Sequence, residues 1–243
     1  MTRLSVNLNK VALLRNQRTI GIPSVTKAAE IATAAGAYGI TVHPRPDERH
    51  IRTSDVYELS DMLVEVEFNI EGNPFTGQYM QLMRDIRPDQ ATLVPDSPDA
   101  VTSDHGWDLK RDGLLLQPVI NALKRLDIRV SLFMDPVEEG IKLAKELGAD
   151  RIELYTEPYA TAFRTDKNLS KTLFRFVEAG RFARSLGLGL NAGHDLNLQN
   201  LGRFVSSVPG VLEVSIGHAL IADALETGLA QAVKAYVSIL EKN

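Results

Sequence analysis

The chain has 243 residues, 44% of them apolar and 24% charged, with a formal net charge of −4; this supports a sizeable core and argues against nucleic acid or an acidic membrane surface as partner. It has no cysteine, which rules out disulfides, thiolate nucleophiles and cysteine metal sites. No apolar run approaches the roughly 18 residues of a membrane span, and Arg3, Lys10 and Arg15 interrupt the N-terminal segment where a signal peptide is apolar, so a soluble, cytoplasmic protein is expected.

In chain order, "RLSVNL" (3–8) reads as the first strand. "SVTKAAEIATAAG" follows as a helix, with Ser24 as N-cap, Gly36 as stop, and Val25, Ala28, Ala29 and Ala32 on one face. "GITVH" (39–43), "EVEFNIE" (65–71) and "QATLVP" (90–95) are the next strands. The segment 97–128 is longer than one crossover needs and is expected to carry an extra helix, "DGLLLQPVINALKRL", after an irregular stretch. "RVSLFMD" (129–135) precedes a helix with Asp135 as N-cap, Pro136 at its first position and Gly148 as its stop. "RIELYT" (151–156), the long periodic "NLSKTLFRFVEAGRFARSLG", "GLGLNAG" (187–193), "LEVSIG" (212–217) and one long terminal helix complete the chain. Several strands read as apolar on consecutive positions, the pattern of a parallel sheet covered on both faces. Eight strands alternating with helices at about 30 residues per unit predict a single-domain (β/α)₈ TIM barrel of the α/β class. A doubly wound open sheet is the runner-up, but its glycine-rich phosphate fingerprint after the first strand is missing.

In a barrel the C-terminal strand ends share one mouth. Here those ends carry Asn7, Asn9 and Lys10, His43 and Arg45, Asn69 and Glu71, Asp135, Glu153 and Thr156, Asn191 and His194, then Gly217 and His218. Glu71 in "FNIEG" and Glu153 in "RIELY" stand out, because burying a carboxylate in an apolar strand costs several kcal/mol unless it is paired or used. Histidines and carboxylates around one pocket favour proton transfer near neutrality. "LNAGHDL" and "VSIGHAL" each lead a strand into Gly-His. Such turns let a backbone approach an anion closely, or simply need glycine to turn. Arg15, Arg18, Arg45, Arg49 and Arg52 offer guanidinium forks for phosphate, although the second group also reads as a solvated basic loop. His105 lies in a loop without an evident role. The residues point to an acid–base enzyme acting on phosphorylated small molecules.

In order and at matching spacing, "VNLNKVALLRNQR", "AGAYGITVHPRPDERHI", "FNIEG", "LVPD", "VSLFMD", "IELYTEPYA", "LNAGH" and "IGHALI" resemble the pyridoxine 5′-phosphate synthases of the deoxyxylulose-dependent vitamin B6 pathway, along essentially the whole chain. The resemblance implies a TIM barrel with extra helices, assembled as a homo-octamer, without cofactor or metal. It implies condensation of 3-amino-2-oxopropyl phosphate with 1-deoxy-D-xylulose 5-phosphate to pyridoxine 5′-phosphate, phosphate and water. It makes His43 and Glu71 proton acceptors, His194 a proton donor and Glu153 a stabiliser of transition-state charge. It assigns Asn7, Arg18, Asp195, Gly217 and His218 to the amino-ketone phosphate, and Asn9, Lys10, Arg45, His50 and Thr102 to the deoxyxylulose phosphate.

Three positions depart from that family's pattern. Asn9 and Lys10 replace an aspartate and a histidine, exchanging an acceptor-only carboxylate for an amide and an imidazole for a cation. Asp195 stands where the family commonly has glycine, and an anion beside a phosphate is unfavourable unless it turns away. Asn9 and Lys10 favour, as the alternative, a related isomerase or aldolase acting on another phosphosugar. A non-catalytic binder of phosphorylated metabolites needs none of the four acid–base groups.

Overall fold

The computed structural model describes residues 1–97, 100 and 102–242. Eight parallel strands close into a barrel in chain order: β1 (Arg3–Asn7), β2 (Gly39–Val42), β3 (Glu67–Gly72), β4 (Gln90–Leu93), β5 (Arg129–Met134), β6 (Arg151–Tyr155), β7 (Gly189–Gly193) and β8 (Val211–Ile216). β8 pairs back onto β1 with Arg3 opposite Glu213 and Ser5 opposite Ser215. Closure excludes the open doubly wound sheet.

The helices are α1 (Asn9–Asn16) and α2 (Val25–Ala34) after β1, α3 (Thr53–Met62) after β2, α4 (Tyr79–Ile86) after β3, α5 (Leu109–Lys124) after β4 and α6 (Glu138–Glu146) after β5. α7 (Glu157–Thr165) and α8 (Leu169–Ser185) follow β6, α9 (Leu201–Ser207) follows β7, and α10 (His218–Thr227) and α11 (Leu229–Glu241) follow β8. The additional helices α1, α7 and α10 each begin within two residues of a strand's C-terminal end, so all three border the mouth.

Four expectations need correction. The helix in 97–128 is α5, the β4–β5 crossover itself, and the described residues between β4 and α5 add no further helix. The long terminal helix breaks at Gly228, whose φ of +88° suits glycine, into α10 and α11. Asp135 does not cap α6: the helix starts at Glu138 after Val137, and the Asp135 carboxylate instead accepts from the Gly106 N–H at 3.3 Å. Ser24 does cap α2, its hydroxyl accepting from the Lys27 N–H at 3.1 Å.

The fourth correction concerns the strands, most of which alternate, although Leu132–Phe133–Met134 of β5 stays apolar on consecutive positions. Leu4, Val6, Ile40, Val42, Phe68, Ile70, Leu93, Val130, Leu132, Ile152, Leu154, Val214 and Ile216 belong to one continuous apolar core shared with Ala28 and Ala29 of α2, Leu116 and Ile120 of α5, Phe176 of α8 and Tyr236 of α11. Most of the residues between them face the barrel axis and are polar, with Phe133 and Tyr155 as apolar exceptions toward the mouth. The Ser5 and Thr41 hydroxyls lie 2.6 Å apart, Asn69 donates to Thr41 at 3.2 Å, and Thr92 donates to Asn69 at 2.9 Å. Across the lower end, Asn191 donates to Gln90 at 3.3 Å, Arg151 donates to Asn191 at 3.0 Å and to Glu213 at 3.3 Å, and Arg129 pairs with Glu67. The apolar core is therefore the annulus between strands and helices, and the barrel lumen is a hydrogen-bonded polar column.

Candidate active site

At the mouth the inward-facing column ends in side chains that chemistry can use. Asn7, the last residue of β1, donates its amide to Glu71 Oε2 at 3.3 Å and accepts the Asn9 N–H on its carbonyl at 3.0 Å. The Asn9 carbonyl accepts the His43 N–H at 2.9 Å. This chain of bonds fixes the ends of β1, β2 and β3 together and sets His43 Nδ1 4.0 Å from Glu71 Oε2. Either an amide or a carboxylate at position 9 supplies the acceptor this link requires.

Beyond β2, His50 meets His43 edge to face, with ring centroids 6.1 Å apart. Its Nδ1 accepts the Ile51 N–H at 2.9 Å, so the neutral ring carries its proton on Nε2. The loop that presents it is clamped from behind. Arg15 is buried, pairs through both nitrogens with Asp55 and donates to the His50 carbonyl at 3.1 Å, while Asn16 donates to the same carbonyl at 2.8 Å. Arg15 is thus spoken for by Asp55 and is not a phosphate ligand, contrary to the reading of its sequence run. Arg45 is buried as well. It pairs with Asp96 and donates to the Ala100 carbonyl at 2.7 Å, and Ser103 donates to the same carboxylate at 2.7 Å. Lys10 is half-buried in the first turn of α1, close enough for its charge to bear on His50.

On the opposite rim, β7 ends in a turn in which His194 takes φ +69°, a left-handed conformation unusual for a non-glycine residue. Its Nδ1 lies 2.6 Å from Asp195 Oδ2 and its Nε2 2.7 Å from Thr102 Oγ1. Tyr155 packs edge-on against the ring, at 5.9 Å between centroids, and with Phe133 and Val94 forms a small apolar wall separate from the main core. Glu153 lies lower in the lumen, 3% exposed, with no hydrogen-bond partner for Oε2 among the described residues. A Cβ on Gly193 would stand 3.0 Å from Glu153 Oε1 and collide with the Ser215 carbonyl, so only glycine fits between the carboxyl and β8. Gly217 packs so closely on Asn7 that a Cβ would stand 3.1 Å from its amide oxygen.

The expected residues divide accordingly. Asn7, Asn9, His43, Glu71, Arg45, His50, Thr102, Glu153, His194, Asp195 and Gly217 converge on the mouth. His218 is exposed at the first position of α10, directly after Gly217, and Arg18 is exposed just beyond α1. Asp96, Tyr155 and the Arg15–Asp55 clamp were missed. Asp96 carried a readable signal, a carboxylate at a strand end within "LVPD". The clamp carried none, because its partners are 40 residues apart.

Burial sets the protonation pattern. It raises Glu71 to about 7, with the neighbouring His194 pulling the other way and Asp96 adding to the rise. Burial also raises Glu153 well above the carboxylate range, reinforced by Glu71 and Glu213. His43 is held well below the usual imidazole value by burial and then by Arg45, and His50 is lowered to about 4 by burial, Arg45 and Lys10. His194 moves the other way: burial opposes its charge, but the Asp195 hydrogen bond and charge, with Glu71 and Asp96, outweigh it and raise the pKa. One rim therefore holds neutral imidazoles beside a carboxyl poised near neutrality, and the other holds an imidazole that favours its proton. Opposed tendencies across one pocket are what separate acid and base roles require.

The family model described as "Pyridoxal phosphate biosynthesis protein PdxJ" matches residues 4–242. The chain belongs to this family. It is 56% identical to a pyridoxine 5′-phosphate synthase of Xanthomonas axonopodis pv. citri (strain 306), covering 98% of this chain and 96% of the relative. It is 50% identical over the full length of both chains to one from Cytophaga hutchinsonii. The barrel is also similar to 3-keto-L-gulonate-6-phosphate decarboxylase from Vibrio cholerae, with a TM-score of 0.67 at 10% identity over 99% of this chain and 98% of that one, a likeness of fold alone. Membership of the PdxJ family agrees with the barrel and with the resemblance in the strand-end motifs.

Proposed function

We propose that the protein is a pyridoxine 5′-phosphate synthase, condensing 3-amino-2-oxopropyl phosphate with 1-deoxy-D-xylulose 5-phosphate to give pyridoxine 5′-phosphate, inorganic phosphate and water. The observation that carries this reading is the pocket in which His43 and Glu71 face His194 with opposite proton preferences, in a chain whose full-length relatives bear that name. Joining the amine to the ketone releases one water, expulsion of the single phosphate that leaves needs a proton removed from carbon, and ring closure and aromatisation remove further protons and release a second water. Glu71 and His43 serve as proton acceptors and His194 as donor. Glu153, neutral in its pocket, can donate a hydrogen bond where negative charge develops. Gly217, with the exposed His218 and Arg18, receives the amino-ketone phosphate beside the His194–Asp195 turn. Asn9, Lys10, His50, Thr102 and Arg45 receive the deoxyxylulose phosphate. Arg45 exchanges part of its Asp96 and Ala100 contacts for that ligand.

The test is direct. The purified protein is mixed with both substrates and pyridoxine 5′-phosphate is followed by its absorbance; formation of product is expected, and its absence under conditions where a relative turns over rejects the proposal. The same reading includes a cytoplasmic octamer. The outward Leu114, Leu115, Phe174 and Leu225 are apolar surface suited to burial between subunits, and sedimentation gives the subunit number. Among the described residues no helix is long and apolar enough to cross a membrane.

A further inference from the structure

The Asp195 carboxylate turns back onto its own neighbour, the His194 ring. A carboxylate accepts only, so the 2.6 Å contact puts a hydrogen on His194 Nδ1. In the neutral ring Nε2 is then a bare acceptor, facing the Thr102 hydroxyl at 2.7 Å, and in the charged ring Nε2 carries the mobile proton. The backbone of this turn is held at several points. Buried Thr156 donates to the Gly193 carbonyl and accepts the Asp195 N–H at 3.3 Å, and buried Asn200 donates to the Asp195 carbonyl at 3.2 Å. These bonds maintain the left-handed backbone at His194 that lets adjacent side chains meet.

We infer that Asp195 is a positioning residue for His194, orienting the ring so that Nε2 is the nitrogen that exchanges protons in the pocket. The use made of that proton rests on the synthase reading; the orientation does not. Asp195 is the closest charged group to the ring. Glu71 from β3 and Asp96 from the segment after β4 face it across the pocket, Tyr155 of β6 packs on its edge, and Glu153 lies beneath Gly193. Asp195 thus gives this turn a carboxylate–imidazole pair.

The test combines NMR of the free protein with kinetics on two variants. Asp195→Asn keeps an acceptor for Nδ1–H but removes the charge; Asp195→Gly removes both. The His194 ring is expected to titrate at lower pH in both variants. Its ¹⁵N shifts should report Nδ1–H in the unmodified protein and in Asp195→Asn, and move toward Nε2–H in Asp195→Gly. The other four histidines serve as a control that the fold is unchanged. Turnover in Asp195→Gly is expected to fall about 10-fold, with the alkaline limb of its pH profile moved to lower pH. Unchanged His194 titration and tautomer in Asp195→Gly overturn the inference. So does a rise in KM for the amino-ketone phosphate without any change in His194, which would make Asp195 a binding residue. Should the unmodified protein make no pyridoxine 5′-phosphate, the synthase reading fails while the NMR comparison still decides the role of Asp195.

Discussion

Glu71 holds the decisive position among individual residues, because burial poises its carboxyl near neutrality beside the lowered His43 and the raised His194. Glu71→Gln keeps the size and the bond from Asn7 but cannot take a proton, so kcat should fall by about 100-fold or more. A variant with near-normal turnover removes Glu71 from the chemistry. Lys10 is the informative binding residue. If its cation meets the sugar phosphate, Lys10→Ala raises KM for deoxyxylulose phosphate and leaves kcat nearly unchanged; an equal KM makes it a surface lysine. At this scale the sequence was most legible where a side chain contradicted its surroundings. Glu71 and Glu153 drew notice because carboxylates do not sit idle in apolar strands. Arg15 was misread for the converse reason: the sequence displays a charge but not its partner, and the partner here is Asp55, on another helix.

Among the elements, the strand-to-helix connections do most to shape the pocket. α1, α3 and the loop between β2 and α3 are tied together by Arg15, Asp55, Asn16 and the His50 carbonyl. Asp55→Asn leaves Arg15 buried without a counter-charge, so stability to chemical denaturation should drop by about 3 kcal/mol. Turnover, measured where the variant is still folded, should show a weaker hold on deoxyxylulose phosphate because His50 is no longer fixed. Gly193→Ala acts on β7: the new methyl meets the Ser215 carbonyl of β8 and the Glu153 carboxyl together, and loss of both stability and turnover is expected. Unaltered activity would show that β7 has room to shift. Helix starts were legible where a side chain caps, as Ser24 does, and illegible at Asp135, where Pro136 suggested a first turn that the chain delays by two residues.

For the whole molecule, the barrel class followed from the count and spacing of elements, but its internal character did not. "LSVN", "GITVH", "EFNIE" and "RIELY" alternate perfectly, yet small and neutral polar residues such as serine, threonine and glycine disguise the period inside short strands. A polar lumen has a consequence for stability against pH. Glu71 and Glu213 titrate at about 7 and about 8 in the native state, burial being the main cause in each, whereas an unfolded glutamate titrates in the ordinary range. Between those values the native chain holds more protons than the unfolded one, so raising the pH favours unfolding. The raised His194 adds to this trend. The depressed His43 and His50 oppose it, but only below about pH 6.5, where unfolded imidazoles become charged. The midpoint of guanidinium denaturation should therefore fall from about pH 6.5 to about pH 8.5, and Glu213→Gln should flatten the decline. A midpoint that rises over this interval contradicts the assignment of neutral acids to the lumen.

β1 and β8 lie side by side, and Asn7 at the tip of one touches Gly217 just past the tip of the other. A chain made from its N-terminus has His43, Glu71, Glu153 and His194 in hand by residue 194, yet it still lacks the strand that joins the two margins of the sheet. Until residues 211–216 emerge, β1 and β7 present unsatisfied edges, and Gly193 has no Ser215 carbonyl to rest against. The cup therefore closes only once β8 has emerged, and a chain that stops short of it is exposed to mispairing at both edges.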